Sequence, residues 1–349
     1  MTQSDQPVNE RQAAIEFSAT PWAYTKFWLV NLLLTIATLG IYGAWAKVRN
    51  NQYLYGHTNV EGHRLQYLAT PKQILIGRLI ALGVLLVFVI ISAVSPVFAG
   101  LLYLALIPLM PWLIMQGLKF TYRNTTYRNV RFDFKGSYLG SCFHFILLPI
   151  VAMFTFYLAL PWVIKKIHQY MFGNCVYGGR ELELNTQTGQ YYKAALAVMG
   201  ISVAAALFVI GTMAGLFTAM ENPENASPFA FVPLILVIYF FMFLTQSVFN
   251  AMIRNHIVGN LKAEGVARFD SRITVGGYLG MTLLNAVLIL FTLGLAYPAT
   301  KVLKLRYLAA NTTVYLTPQI DHMVNQVEGN DEAFGEEAAG LFDTDLSII

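Results

Sequence analysis

Charge is scarce in this sequence. Only 12% of its 349 residues are Asp, Glu, Lys or Arg, whereas a soluble domain carries about a quarter. The scarcity is local. Val97–Leu118, Ala194–Met220 and Phe229–Met252 contain no charged residue, and Ile74–Val94 contains Arg78 alone. Carboxylates inside apolar spans are the usual proton relays. Their absence argues against a proton-coupled pump and against carboxylate catalysis within a membrane. There are two cysteines, Cys142 and Cys175, with no CxxC spacing, and they suggest neither a disulfide nor a metal centre. The six histidines are scattered. No HExxH, phosphate-binding glycine loop, dinucleotide fingerprint or nucleophile–His–acid set occurs, so the expectation is a non-enzyme without cofactor or metal. Residues 1–16 are polar and lack the basic-then-apolar order of a signal peptide.

Apolar residues fill the space that charge leaves. They make up 56% of the chain, and the mean hydropathy is +0.53. Each of the four stretches above exceeds the roughly 20 helical residues needed to cross a hydrocarbon core of about 30 Å. The connections between apolar segments separate by charge. Loops 47–73, 119–137, 165–193 and 254–275 are rich in Lys and Arg, whereas 95–96 and 221–228 have none. The positive-inside rule assigns the first group to the cytoplasm. All Lys and Arg lie before residue 307, and the tail from Asp321 holds eight acidic residues and no basic one. Residues 319–349 therefore read as an acidic, disordered, cytoplasmic tail following a single membrane domain, 1–318.

Internal similarity organises that domain. Laid without a gap on 278–312, residues 24–58 match at Tyr24/Tyr278, Asn31/Asn285, Thr38-Leu39-Gly40/Thr292-Leu293-Gly294, Lys47/Lys301 and Tyr53/Tyr307. A weaker middle copy covers 138–173. The copies lie near 17–68, 131–193 and 268–316, with breaks expected at Gly40, Pro149 and Gly294. The middle segment joins two basic loops. Were it to cross once, half of the basic loops would fall on the wrong side; entry and return on one side misplaces none. A single span still suits the length of Tyr24–Val48, so both readings stand.

On the re-entrant reading, Asn31, His144 and Asn285 supply buried polar partners near the hairpin tips. Lys47, Arg49, Lys165, Lys166, Lys301, Lys304 and Arg306 form a rim for anionic phospholipid. Arg78 snorkels to the interface or lines a polar cavity. Short polar stretches between the helices read as strands or hairpins. The expected fold is an all-α polytopic membrane protein. It has four long transmembrane helices, three repeated broken or re-entrant segments, and short β-strands or hairpins on the cytoplasmic face.

The block "NLLLTIATLGIYGAWAKVRNNQYLYGHT" at 31–58 resembles the signature of the YjgN-like bacterial membrane proteins, the DUF898 family. The likeness extends over most of 17–316. The third copy departs from it, with Ala296-Tyr297-Pro298-Ala299 where the signature has Trp. The resemblance implies a multi-pass protein of the bacterial inner membrane and brings no activity. The functional expectation is a transporter or channel-like protein for a small molecule, ion or lipid, or alternatively a structural or regulatory protein binding anionic lipid or a protein partner. Nucleic acid is not expected, because topology accounts for the basic loops.

Overall fold

The computed structural model describes residues 10–220 and 231–321. Strands and helices alternate in pairs along the chain. Strand β1 (Arg11–Phe17) leads into α1 (Pro21–Ala37) and α2 (Gly43–Gly56), then β2 (Thr58–Val60) and β3 (His63–Tyr67). Next come α3 (Pro71–Val94) and α4 (Pro96–Arg123), then β4 (Thr125–Tyr127) and β5 (Val130–Phe134). The third helical pair is α5 (Tyr138–Cys142), a π-helical turn at Phe143–Leu147, α6 (Leu148–Phe154) and α7 (Leu160–Gly173). After β6 (Cys175–Tyr177) and β7 (Arg180–Leu184) come α8 (Thr188–Met220) and α9 (Val232–Gly259). Finally β8 (Leu261–Ala263) and β9 (Ala267–Ser271) precede α10 (Val275–Phe291), α11 (Tyr297–Ala310) and β10 (Thr312–Leu316).

The strands form one closed antiparallel barrel of ten, so the all-α expectation is wrong. Each strand pairs with its neighbours in sequence, and β1 closes the ring. Its residues Arg11–Ala14 pair with β10, and Ile15–Phe17 pair with β2. Nine of the strands have three to five residues and cannot stand alone. Closure gives every one of them two partners and leaves no edge. The hairpins turn through left-handed residue pairs at Glu61-Gly62, Arg128-Asn129 and Gly178-Gly179, the geometry that matches strand twist. The barrel core contains Tyr127, Val130, Cys175, Tyr177, Leu182, Val266, Val314 and Leu316. Two hydroxyls are satisfied inside it: Tyr127 donates to the Val60 carbonyl at 3.1 Å, and Tyr177 donates to the Tyr127 carbonyl at 3.0 Å. Burial pushes both the Tyr127 hydroxyl and the Cys175 thiol up to about 12.

Every helical pair starts and ends on a barrel strand, so all five pairs project from one end of the barrel. Segments 24–48, 138–164 and 278–303 each leave the barrel and return to it as a helical hairpin. The ends are capped alike. Thr20, Ser137 and Thr274 accept backbone N–H groups of the helices they start, and Thr70 forms a capping box with Gln73. At the other end, the side chains of Asn124, Asn174, Asn260 and Asn311 donate to carbonyls one turn back, and the His57 ring contacts the Tyr53 carbonyl in the same way. Neighbouring pairs touch in sequence, α2 on α3, α4 on α5, α7 on α8, α9 on α10, and α11 on α1, which closes a ring.

Two pairs are long and three are short. Pro71–Val94, Val97–Arg123, Thr188–Leu216 and Val232–Gly259 are apolar and long enough to cross a membrane. Helix α3 has 24 residues and reaches about 36 Å at 1.5 Å per residue. Helices α2 and α11 have 14 residues each and reach about 21 Å. The short pairs all turn the same way. Thr38, Thr155 and Thr292 donate to carbonyls one turn back and accept the N–H of Tyr42, Ala159 and Ala296. Left-handed residues follow each threonine: Leu39-Gly40, Phe156-Tyr157 and Leu293-Gly294. The middle break therefore lies at Thr155–Leu158 and not at Pro149. Pro149 sits at the start of α6, after the π-helical turn. Its missing N–H and its ring disrupt the preceding helical ladder, and the wider turn accommodates them.

Candidate functional site: a cationic cleft between helical pairs

The four helices α1, α2, α3 and α11 enclose a cleft of about 400 Å³. Its polar lining is Asn31, Asn50, Asn51, Lys47, Arg78 and Lys301, set among Tyr24, Trp28 and Tyr297. Among the described residues, every Asp and Glu lies in the barrel, its turns or its flanking segments, and none lies in a helix of the five pairs. Lys47, Arg78 and Lys301 thus meet in a space without a carboxylate, and none takes part in an ion pair with a described residue. Lys47 and Arg78 remain exposed and Lys301 is half-buried.

Local structure fixes these groups. Arg78 leaves α3 about 10 Å beyond Pro71 by helical rise. Its guanidinium lies against Gly43, where an added Cβ would stand 2.6 Å from Nη1. Asn31 is 1% exposed and donates to Asn50 Oδ1 at 3.2 Å. The Asn31 carbonyl oxygen of the side chain faces Tyr42 Oη at 3.5 Å, and Arg49 donates to that Oη at 2.6 Å. Three cations with several amide donors and no acid suit an oxyanion such as a phosphate, since charge-assisted N–H···O bonds are the strong ones.

Other site residues are distributed differently from expectation. Gly40 and Gly294 stand at the breaks. Asn31 lies midway along its hairpin and not at the tip. His144 also precedes its tip, stacked 4.7 Å from the Tyr170 ring with Nδ1 2.7 Å from the Gly140 carbonyl. The rim does not form one cluster. Lys47 and Lys301 enter the cleft, Arg49 lies 5.1 Å over the Phe27 ring, and Arg306 donates to the Ala19 carbonyl. Lys304 is exposed on α11, while Lys165 donates to Thr188 and Lys166 stands beside it on α7, away from the cleft. Sequence reasoning missed Asn50, Asn51 and Trp28. One signal was available: Asn31 and Asn50 lie at nearly equal distances on either side of the break at Gly40.

The family described as "Bacterial protein of unknown function (DUF898)" matches residues 12–341. The chain belongs to the DUF898 family. Similar proteins include "Inner membrane protein YjgN" of Escherichia coli O157:H7, 26% identical, with 91% of this chain and 92% of that protein covered. The protein of the same name from Salmonella typhimurium is 26% identical, with 85% and 87% covered. No solved structure matches. Relatives named inner membrane proteins over about nine-tenths of the chain, together with the four apolar helices, make this a membrane protein.

Asn31 and Asn285, matched when 24–58 is laid on 278–312, have unequal surroundings. Asn285 Nδ2 meets only the Met281 sulfur, and its Oδ1 is buried without a partner. Asn31→Leu should therefore cost on the order of 1–3 kcal/mol by orphaning Asn50. Asn285→Leu should cost little or be stabilising. Paired melting curves in detergent check this; equal losses would refute it.

Proposed function

We propose that this protein holds and handles anionic phospholipid in the bacterial inner membrane, without catalysing a reaction. The observation that carries the reading is the meeting of Lys47, Arg78 and Lys301, without a carboxylate, between helices whose outer faces are apolar. A lipid phosphate would take the cations while Trp28, Tyr24 and Tyr297 line the headgroup region. Two observations support a cytoplasmic barrel, the basic residues of the helix–strand junctions and the absence of Lys and Arg from 95–96 and 221–228, while the names of the relatives support the inner membrane. Connection 221–228 itself and the tail beyond Asp321 lie outside the described residues.

On this reading the repeat has five units, a helical pair followed by a strand pair, and the three copies seen in sequence are its short-helix members. Five equivalent capping side chains at the helix–strand junctions support it. Short pairs among long ones leave tips such as Leu39, Phe156 and Leu293, each at least 90% exposed, within hydrocarbon depth. Broken helices that meet partway through a membrane recur in transporters, so movement of the bound lipid is the transport form of the proposal.

The test is native mass spectrometry of protein purified with phosphatidylglycerol and phosphatidylethanolamine. Each charge near an anionic headgroup contributes about 1 kcal/mol, so Lys47→Gln/Arg78→Gln/Lys301→Gln should reduce phosphatidylglycerol affinity on the order of 100-fold. Phosphatidylethanolamine adducts should be unchanged, and so should phosphatidylglycerol adducts of Lys165→Gln/Lys166→Gln. Equal phosphatidylglycerol retention by the triple variant and the parent overturns the proposal. Saturable binding of inorganic phosphate that the triple variant loses, with lipid retention unaltered, assigns the cleft to a free anion instead.

A further inference from the structure

The barrel encloses a second space, unrelated to the cleft. It measures about 230 Å³ and is lined by apolar side chains, among them Leu65, Phe132, Val266, Phe269 and Ile320, with no polar surface. A cavity of about 150 Å³ with such a lining stays dry and takes small hydrocarbons. Barrels of more than eight strands commonly leave ligand-sized interiors. The two nearby tyrosine hydroxyls are already bonded to backbone carbonyls, so nothing inside requires water.

The mouth at the turn end is closed by the residues after β10. Thr317 donates to the Gly265 carbonyl, and Arg180 donates to Gln319 at 3.5 Å. Ile320, 1% exposed, reaches the cavity. Asp321 accepts from Arg128 Nη1 and Arg11 Nη2, both at 2.7 Å, and Arg11 also pairs with Glu61 at 3.3 Å. The Arg128 side chain is only 15% exposed. A branched hydrocarbon thus enters the cavity while the adjacent carboxylate sits between two arginines at its rim. Those are the two chemical halves of an alkyl carboxylate.

We propose that the barrel is a binding site for a medium-chain monocarboxylate, and that Ile320–Asp321 is its built-in competitor. The alkyl chain takes the apolar cavity, and the carboxylate replaces Asp321 between Arg11 and Arg128. In the resting protein the tethered Asp321 acts at high effective concentration, so free ligand binds weakly until the segment is released.

The test is equilibrium binding of radiolabelled octanoate to the full chain in zwitterionic nanodiscs, with n-octanol as the uncharged competitor. Asp321→Asn removes the competing charge and should tighten saturable octanoate binding about tenfold or more. Adding Arg128→Gln should reverse that gain. Adding Ile320→Trp to Asp321→Asn fills the cavity and should abolish binding, while an unchanged melting temperature shows that the barrel is intact. Octanol should compete poorly. Lys47→Gln/Arg78→Gln/Lys301→Gln should bind octanoate as the parent does, which separates this site from the lipid cleft. Absence of saturable octanoate binding to Asp321→Asn overturns the proposal. So does undiminished binding by a folded protein that carries both Asp321→Asn and Ile320→Trp.

Discussion

Tyr127→Ala is expected to lower stability by about 3–5 kcal/mol, the range for truncating a buried aromatic. The ring is buried in the barrel core, 6.3 Å from Tyr177 and 6.3 Å from His63. Its hydroxyl ties β4 to the Val60 carbonyl on β2, and its own carbonyl receives the Tyr177 hydroxyl from β6. Truncation opens a void beside an existing cavity and removes the hydroxyl's bond to the Val60 carbonyl. Tyr127→Phe keeps the packing and should lose only about 1 kcal/mol. Melting in detergent ranks the two variants, and amide exchange over residues 58–67 and 175–184 should rise in the alanine variant alone. A Tyr127→Ala protein that melts with the parent would mean the barrel does not depend on this ring.

Gly136→Val is expected to be the next most damaging change, because the second short pair seats through this residue. Any Cβ there would collide with the Phe134 ring and stand 2.7 Å from Tyr170 Oη. Neither neighbour can yield. Phe134 is 1% exposed and stacks on Tyr122, while Tyr170 donates to the Ser137 carbonyl at 2.8 Å and carries the His144 ring. Overpacking of this kind costs about 1–3 kcal/mol and occasionally more. Gly276 is the control, since an added Cβ meets nothing within 4 Å. Gly276→Ala should be neutral or slightly stabilising through helix propensity. Equal melting temperatures for Gly136→Val and Gly276→Ala would contradict the packing described.

The contrast between spans and barrel follows from the range over which each is encoded. A helix such as Val97–Arg123 writes its environment in more than twenty consecutive residues, and composition suffices to find it. The break at Thr38-Leu39-Gly40 is also local, because the threonine hydroxyl and the left-handed glycine act within one turn. Thr155 does the same without a glycine, so the more familiar breaker Pro149 drew the assignment away. A strand such as Cys175–Tyr177 has three residues and cannot display an alternation. Its place in the barrel depends on helical pairs that deliver neighbours tens of residues away. Strand β1 was hidden further by its polar surroundings. In the cleft, Arg78 was legible as the one charge in its span. Asn50 and Asn51 were not, since they sit in an already polar stretch and matter only through the fold of the hairpin. The recurring Asn124, Asn174, Asn260 and Asn311 were legible punctuation whose regularity marks the helix–strand junctions.

The ion pairs of the barrel have a defined pH window. Hydrogen bonds from Arg128 to Asp321 and from Arg123 to Asp133 hold both carboxyls below the usual aspartate range. Their contribution is complete above the ordinary aspartate value and is lost as pH falls through the depressed one. Neutral and mildly acidic solutions therefore leave the closed mouth unaltered.

The split pairing of β1 has a consequence for biogenesis. Arg11–Ala14 must find Thr313–Leu316, while Ile15–Phe17 pairs nearby with Thr58–Val60. The ribosome makes one partner at the start of the membrane domain and the other at its close. Until β10 emerges, all five helical pairs are made above an unsealed ring of strands. A chain halted before residue 312 leaves Arg11–Ala14 and β9 without the strand that joins them, and a finished chain covers both edges in one step.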